Sequence, residues 1–305
     1  MDNQSLNLNE VDLKKIILIF WGKKFTIISI TFVAAILSVF YALSLPNIYK
    51  SQSTLVPASQ EDSLTSKLGG LSSLAGIVGV SLPSSSSKSQ EGMERIKSFE
   101  FFSNYFLPNI KLENIMAVKK WIPEENIIIY DDSLFDERTN KWVRKVRFPK
   151  QPKPSSQEAY EIYEEILSIS EDRETAFVSI SIEHRSPIIA HKWLKLIINQ
   201  INESMREVDS KKARNSISFL NEASKSTNVQ SIRNAISKLL ENQMQILMLA
   251  GSNQAYIFET IDSPIVPEKK FRPSRAVICI IGTFLGGLLS LLIAYILHYR
   301  ESSNS

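Results

Sequence analysis

The sequence predicts an α+β domain, with a small mixed sheet as its base and long extended helices, anchored by a transmembrane helix at each end. Two long apolar segments, 25–45 and 276–299, lie near the two ends of the 305-residue chain. Between them, a segment of alternating apolar residues leads into an amphipathic stretch that has neither glycine nor proline from Ile188 to Ala223. Alternation is typical of a half-buried strand, and the apolar stripe is typical of a long helix.

Each apolar segment is long enough to cross a membrane as a helix. Segments 25–45 and 276–299 contain no acidic or basic residue apart from His298, and about 20 apolar residues span the hydrocarbon core. A buried core helix is the alternative, but length and lack of charge coincide in both segments. The first segment begins too late for a signal peptide and lacks a small-residue cleavage site, so we interpret it as a retained anchor.

The charges beside the first span predict its orientation. Only Lys50 follows the span closely, whereas four lysines precede it: Lys14, Lys15, Lys23 and Lys24. The positive-inside rule therefore predicts a cytoplasmic segment 1–24, a domain 46–275 on the far side and a cytoplasmic tail 300–305. The cations before the second span predict the reverse orientation, but long translocated loops largely escape the rule.

Composition narrows the class of protein. The net charge of +3 and the 22% of charged residues exclude the strongly basic face of a nucleic-acid-binding protein. The single cysteine, Cys279, lies inside the second span, so the outer domain contains no disulfide and must be stabilised by packing or assembly. These features fit a periplasmic domain of a bacterial inner-membrane protein.

The first half of the outer domain is divided by prolines and by a small-residue segment. The sequence NIYKSQSTLVPA predicts a short strand that ends at Pro57, and segment 64–90 predicts a flexible Gly/Ser-rich loop. A helix is predicted to end at Pro108. Segment 126–148 predicts two strands around an acidic turn, and segment 155–170 predicts a helix with a serine cap.

The second half is more regular. TAFVSISIEH predicts a strand, and Ser186-Pro187 then starts a helix, because serine caps a helix and proline fits its first turn. The helix runs to about Ala223, a length of roughly 50 Å at 1.5 Å per residue. A second helical stripe follows, so segment 187–250 is predicted to be a long hairpin or a broken helix. AYIFETID predicts a closing strand.

One apolar stripe on the long helix is the candidate surface for packing between helices or between copies of the chain. A flat α/β base covers only part of so long a stripe. The remainder is predicted to meet the hairpin partner or neighbouring copies. The candidate residues are Ile189, Trp193, Ile197, Ile201 and Met205.

No pattern of residues predicts catalysis, a cofactor or a metal. The chain has no Walker-type phosphate loop, and its three histidines have no metal-ligand spacing. The acidic residues of segment 131–137 are interpreted as a solvated turn. We therefore predict no enzyme, no catalytic residue, no cofactor, no metal site and no nucleic-acid partner.

The proline-rich segment 262–275, called the strut below, is predicted to be stiff and extended, because proline cannot continue a helix. Its cations are expected at headgroup depth, either as simple anchors or in contact with lipid phosphates or an anionic lipid-linked substrate. In both spans small residues recur every four positions, which predicts close helix packing. The candidate residues for partner contact and membrane coupling are Pro264, Pro267, Lys269, Lys270, Arg272, Pro273, Arg275, Gly282, Gly286 and Ser290.

The order of these features resembles the Wzz-type chain-length determinants, or polysaccharide co-polymerases. The segments that carry the resemblance are NEVDLKKIILIFWGKKFTIISI, NIYKSQSTLVPA, GGLSSLAGI, FVSISIEHRSPIIAHKWLKLIINQIN and PIVPEKKFRPSR. The resemblance implies a non-enzymatic inner-membrane protein that sets how many repeat units a polymerase adds to a lipid-linked glycan, typically O-antigen of lipopolysaccharide. It also implies a homo-oligomeric ring, such as an octamer, with membrane lipids, the O-antigen polymerase and lipid-linked glycan as partners.

A related branch of that family works with a cytoplasmic tyrosine kinase. Only ESSNS follows Arg300, so no fused kinase is expected, which favours the O-antigen branch. An adaptor for capsule or exopolysaccharide export with a separate kinase is the alternative. A two-span sensor and a glycan-processing enzyme are less favoured, because the sequence offers neither an output domain nor an acid/base pair in a plausible cleft.

Overall fold

The computed structural model describes residues 20–58, 85–252 and 255–303. The chain divides into two units. The terminal unit comprises the described residues of Met1–Asn47 and Phe271–Ser305, and the central unit those of Ile48–Lys270. Most of the predicted loop 64–90 lies outside the described residues, and its last residues belong to a helix.

In chain order, the helices and strands are α1 (Lys24–Ser44), β1 (Tyr49–Pro57), α2 (Ser85–Lys97), α3 (Leu112–Met116), β2 (Val118–Ile122), β3 (Ile127–Tyr130), β4 (Phe135–Asp136), β5 (Lys141–Trp142), α4 (Ser156–Ile166), β6 (Leu167–Glu171), β7 (Val178–His184), α5 (Pro187–Ser226), α6 (Gln230–Ser252), β8 (Phe258–Asp262) and α7 (Arg275–Ser303). Between α2 and α3, the chain forms one helical turn, a π-helical turn and a 3-10 turn: Phe99–Phe101, Phe102–Phe106 and Leu107–Asn109.

The base of the central unit is a four-stranded sheet in the order β6-β7-β1-β8. All its pairings are antiparallel, although a mixed sheet is expected from the sequence. Strand β7 buries Val178, Ile180 and Ile182, as its alternating pattern predicts. Strand β1 pairs with β7 on one side and with β8 on the other, so the first and last strands of this unit are neighbours.

Helix α5 lies on this sheet with its first half. The Ser186 hydroxyl accepts a hydrogen bond from the Ile189 amide at 3.4 Å, and Pro187 occupies the first turn, as predicted. The helix has 40 residues, which corresponds to about 60 Å. The predicted stripe is buried within the subunit: Ile189, Trp193, Ile197, Ile201 and Met205 all belong to the core. These side chains therefore support helix–sheet packing and are not at the surface for a neighbouring copy.

The second half of α5 forms a hairpin with α6. The helices are separated by the turn 227–229. The chain returns to α5 after α6, where the Tyr256 hydroxyl donates a hydrogen bond to Asp209 at 2.8 Å. Lys88 of α2 also forms an ion pair with Asp209, at 2.9 Å. The hairpin alternative predicted for segment 187–250 is the one observed.

A buried asparagine joins the hairpin to the sheet. Asn202, which is 6% exposed, lies in α5 beside the chain that leads into β8. Its Oδ1 accepts hydrogen bonds from the amides of Tyr256, Ile257 and Phe258 at 3.0, 2.8 and 3.0 Å. Its Nδ2 donates to the carbonyls of Ile198 and Phe258, both at 3.1 Å. The carboxamide therefore satisfies backbone groups at the start of β8 and in the two residues before it.

Several elements differ from the prediction because a pairing or a cap with a neighbouring segment outweighs the local pattern of apolar residues. Strand β3 pairs with β2 on its N-terminal side, and not with a strand after the acidic turn. Strand β6 occupies the end of the helix predicted over segment 155–170, because its backbone pairs with β7. The helix predicted to end at Pro108 is interrupted at Ser98, whose hydroxyl accepts a hydrogen bond from the Phe101 amide at 3.2 Å.

The acidic residues after β3 stabilise turns. Asp131 accepts hydrogen bonds from the Ser133 amide and hydroxyl at 2.9 and 2.7 Å, and Asp136 accepts one from the Thr139 hydroxyl at 2.9 Å. These bonds lower the pKa of both carboxyl groups. They agree with the turn interpretation of this segment.

Helix α4 begins at a capping box, in which Ser155 and Glu158 each bond the other's backbone amide. Arg144 donates to both carboxylate oxygens of Glu158, at 2.8 and 2.6 Å. The bidentate hydrogen bond from Arg144 lowers the pKa of Glu158 from its ordinary 4.5 to about 2. The pair fixes the linker before α4 to the start of this helix.

Replacing Asn202 with alanine should destabilise the central unit strongly. Three buried backbone amides lose their acceptor, and each unsatisfied group costs about 1–3 kcal/mol. We expect a loss of about 3–5 kcal/mol in the free energy of unfolding. Thermal unfolding of the full chain in detergent, followed by circular dichroism, measures it. Asn199→Ala, an exposed change on the same helix, is the control, and an equal effect of both changes would contradict the role of Asn202.

Candidate functional site

Helices α1 and α7 are apolar and mostly exposed. Lys24–Ser44 and Arg275–Leu297 are each long and apolar enough to cross a membrane. Phe25 and Phe40, for example, are 77% and 68% exposed. A helix with so much exposed apolar surface is unfavourable in water, but a bilayer covers it without cost. The two helices therefore fit an inner-membrane protein whose main domain lies between them in the sequence.

Small residues form the contact between α1 and α7. A Cβ atom on Gly282 would lie 2.5 Å from Ser38 Cβ, and one on Gly286 would overlap Ala34 Cβ. Real carbon atoms do not approach so closely, so only glycine permits this spacing. Ser290 is fully buried at the same interface. The close packing predicted from the spacing of small residues is therefore present in the terminal unit.

Hydroxyl groups along this interface are hydrogen-bonded. Thr31 of α1 donates to Ser290 of α7 at 3.2 Å, and Ser290 donates to the Gly287 carbonyl at 2.6 Å. Ser38 donates to the Ala35 carbonyl at 2.8 Å. Because hydrocarbon offers no alternative partners, these bonds remove the cost of placing hydroxyls there. The bond between Thr31 and Ser290 also sets the register of the two helices.

Arg275 closes the other end of this interface. Its Nε donates to the Ala42 carbonyl at 3.1 Å, and its Nη2 donates to Asn47 Oδ1 at 3.0 Å and to the Leu45 carbonyl at 3.5 Å. The last carbonyls of a helix have no partner within the helix and carry a partial negative charge. Arg275 thus caps the end of α1, and its position at headgroup depth stays a prediction.

The strut forms neither helix nor strand between Ser263 and Pro267. Two buried serines of β1 hold its beginning. Ser53 donates to the Asp262 carbonyl at 2.6 Å, and Ser51 donates to the Ile265 carbonyl at 2.9 Å. The start of the strut is therefore fixed to the sheet by hydrogen bonds that continue beyond β8.

The predicted site residues fall into two groups. Arg275, Gly282, Gly286 and Ser290 lie along α7 and contact α1 or the residues after it. The other candidates lie in the strut and are divided between the units. Pro264, Pro267, Lys269 and Lys270 belong to the central unit, and Arg272 and Pro273 to the terminal unit. The side chains of Lys269, Lys270 and Arg272 are exposed.

Ser51, Ser53, Thr31 and Asn47 were not predicted from the sequence. The two serines alternate with the buried Leu55 on the inner face of β1, so the strand period of two could have placed them inside. No sequence signal identifies the acceptor of each hydroxyl. In the part of the chain that the structure describes, no group of three or more His, Cys, Asp or Glu residues could hold a metal ion.

These features define a class of protein: its α+β domain lies in the sequence between two helices, and these helices pack closely together and can span a membrane. Residues 9–106 match the model of the Wzz family, described as chain length determinant protein. The resemblance to the Wzz-type chain-length determinants is thereby confirmed for this segment, which includes α1 and β1. No curated protein matches the chain.

Solved structures similar to the chain include the following two. One is a full-length bacterial polysaccharide co-polymerase, with 12% identity, a TM-score of 0.44, and coverage of 95% of this chain and 98% of that chain. The other is a fragment of WzzB, a polysaccharide co-polymerase from Salmonella Typhimurium. It has 12% identity, a TM-score of 0.33, and coverage of 74% of this chain and 100% of that chain.

Replacing Gly286 with leucine should separate the two membrane helices. Thr31 and Ser290, whose hydroxyl oxygens are 3.2 Å apart, can be changed to cysteine in a Cys279→Ser background. Oxidation of membranes should then form a disulfide between the helices. We expect Gly286→Leu to lower its yield, because the leucine overlaps Ala34. Gly287→Leu is the matched control, since a Cβ at Gly287 has no neighbour within 4 Å, and an unchanged yield in both variants would contradict the packing.

Proposed function

We propose that this protein is a non-enzymatic regulator of polysaccharide chain length, and that the polysaccharide is the O-antigen of lipopolysaccharide. It acts as an oligomeric scaffold in the bacterial inner membrane, together with the polymerase. The match of residues 9–106 to the chain length determinant family carries the proposal. The two closely packed apolar helices support it, because they fit a protein held at one membrane by both ends of its domain.

In this proposal both termini are cytoplasmic and the central unit is periplasmic. The four lysines that precede the first span support this orientation: Lys14, Lys15, Lys23 and Lys24. Positive charge is retained on the cytoplasmic side of the first span. The absence of disulfides in the central unit requires stabilisation by packing, which its sheet and the first half of α5 provide.

The strut and the paired helices are the proposed contact with the polymerase and with lipid. The strut starts at hydrogen bonds from Ser51 and Ser53, so its first residues cannot move independently of the sheet. Ile265 and Val266 are exposed beside the cations Lys269 and Lys270. Exposed apolar and basic residues together are suited to a headgroup region or to an anionic lipid-linked glycan.

Self-assembly is supported by apolar side chains on the α5–α6 hairpin. Phe219 is 73% exposed and Met248 is 65% exposed, and Val229, Ile232 and Met244 are about half exposed. Monomeric proteins rarely leave so many large apolar residues in water on one element. We propose that neighbouring copies contact the chain through this hairpin. The α5 stripe, which the sequence offers as a candidate contact surface, is buried within the subunit.

Placing a charge at Phe219 should weaken assembly. A carboxylate at this exposed position cannot be buried in an apolar contact without a large desolvation cost. We expect Phe219→Glu to lower the mass of the particle in mild detergent, measured by light scattering after size exclusion. Ser218→Glu adds the same charge at the adjacent exposed position and should leave the mass unchanged. A monomeric parent chain, or equal masses for the parent and both variants, would contradict assembly through the hairpin.

Chain-length control is tested by the length distribution of the surface glycan. Deleting the gene should abolish the modal length, and the parent gene should restore it. We expect Gly286→Leu and the double change Pro264→Ala/Pro267→Ala to shift the modal length while the protein remains in the membrane. Gel electrophoresis of extracted lipopolysaccharide measures the banding, and Gly287→Leu is the control.

Unchanged banding in the deletion strain would contradict the proposal directly. Unchanged banding in both variants would show that chain-length control depends neither on the prolines of the strut nor on the close contact at Gly286. Co-purification of a cytoplasmic tyrosine kinase, with a change in capsule and not in lipopolysaccharide, would instead identify the export adaptor.

A further inference from the structure

A cleft of about 470 Å³ lies in the central unit at the N-terminal end of α5. Three parts of the chain form it: the segment around α3, the β2–β3 hairpin and the first turns of α5. Small-molecule sites are typically clefts of about 300–1,000 Å³ between such elements. The cleft lies within the central unit, and its lining residues include none from α1, α6 or α7.

Hydrogen bonds that are buried or partly buried hold the walls of the cleft together. His184 Nε2 bonds the Asn114 carbonyl at 2.9 Å, and His184 Nδ1 accepts from the Ser186 amide at 2.9 Å. The Tyr130 hydroxyl donates to Asn114 Oδ1 at 2.7 Å. The segment around α3, β3 and the start of α5 are thus connected to each other through His184 and Tyr130. A ligand would enter a cleft whose walls need little ordering, which reduces the entropic cost of binding.

Three carboxamides line the cleft with fixed orientations. Oδ1 of Asn114 accepts from Tyr130, and Oδ1 of Asn126 accepts from Trp121 Nε1 at 3.0 Å. Their Nδ2 groups remain as donors. Asn109 has the opposite arrangement, because its Nδ2 donates to the Tyr105 carbonyl at 2.8 Å and its Oδ1 remains as an acceptor. A cleft with both donors and acceptors matches vicinal hydroxyl groups, which also donate and accept.

Apolar side chains form the rest of the lining. Ile128, Ile188 and Leu196 are partly exposed around the nearly buried ring of Trp193. Apolar surface beside fixed polar groups is the usual composition of a small-molecule site. The C–H faces of a sugar ring require such apolar surface, whereas its hydroxyl edges require amide groups.

The charged residues of the cleft are all basic. Lys111 and Lys192 line it and are exposed, and no aspartate or glutamate is among its lining residues in the described part of the chain. Two ammonium groups at one opening favour a ligand that carries a negative charge. A neutral sugar would offer no negative group to these two ammonium groups.

We propose that this cleft binds a saccharide segment that carries an acidic group, with the carboxamides on its hydroxyls and the lysines on its anion. The saccharide assignment rests on the chemistry of the cleft. That the saccharide belongs to the growing glycan rests on the proposed function. The cleft then gives the central unit direct contact with the polymer whose length is controlled.

Binding is measured on the full-length chain in detergent by isothermal titration calorimetry with trigalacturonic acid. Maltotriose is the neutral comparison and inorganic phosphate the anion comparison. We expect trigalacturonic acid to bind more tightly than either, and more weakly at high salt. Lys111→Ala/Lys192→Ala should weaken its binding by about tenfold, because two charge-assisted contacts are lost. Lys119→Ala/Lys195→Ala removes two exposed lysines outside the cleft and is the matched control.

No binding of trigalacturonic acid, or equal binding by both lysine variants, would overturn the proposal. Equal affinity for phosphate would reduce the cleft to a general anion site and would overturn the saccharide assignment. The glycan ladder separates this inference from the proposed function. Loss of binding in Lys111→Ala/Lys192→Ala with unchanged banding would show a saccharide site that length control does not use, while the deletion strain still tests length control.

Discussion

The carboxamide of Asn202 holds the chain where it returns from the helical hairpin to the sheet. Three backbone amides converge on its oxygen, and its nitrogen bonds two carbonyls. A buried polar group is stabilising only when its hydrogen bonds are complete, and this one satisfies its neighbours as well as itself. Strand β8 can then pair with β1, and β1 in turn holds the strut through Ser51 and Ser53. The hairpin, the sheet and the beginning of the strut are therefore parts of one connected arrangement.

The apolar surface of the chain is covered in three different ways. The stripe on the first half of α5 is covered by the sheet and by the aromatic segment around Phe106. The surfaces of α1 and α7 remain exposed except along their mutual contact, which is the arrangement that a bilayer completes. The hairpin leaves large side chains in water, and sister copies are the proposed cover. Each apolar surface is thus covered by a different environment. Only the α5 stripe is covered fully by other residues of the same chain.

Polar side chains have a separate role in the membrane helices and in the central unit. At the membrane helices, Arg275 satisfies carbonyls at the end of α1, and Thr31 and Ser290 bond each other. In the central unit, carboxamides and lysines line the cleft beside α5. In the proposed function, small residues and helix ends serve the attachment to the membrane, and the carboxamides of the cleft serve the contact with the polymer.

The sequence by itself determined the elements whose signals are local. The two membrane helices follow from length and lack of charge, the start of α5 from Ser186-Pro187, and the close helix contact from the spacing of Gly282 and Gly286. Only the tertiary structure decided which segments pack together: β2 pairs with β3, β6 pairs with β7 in place of a predicted helix end, and the α5 stripe is buried within the subunit. It also decided that Asn202 bonds the chain before β8 and that Arg275 caps α1. Local patterns reflect the conformational preferences of neighbouring residues, whereas a hydrogen bond across the fold depends on where two remote segments meet.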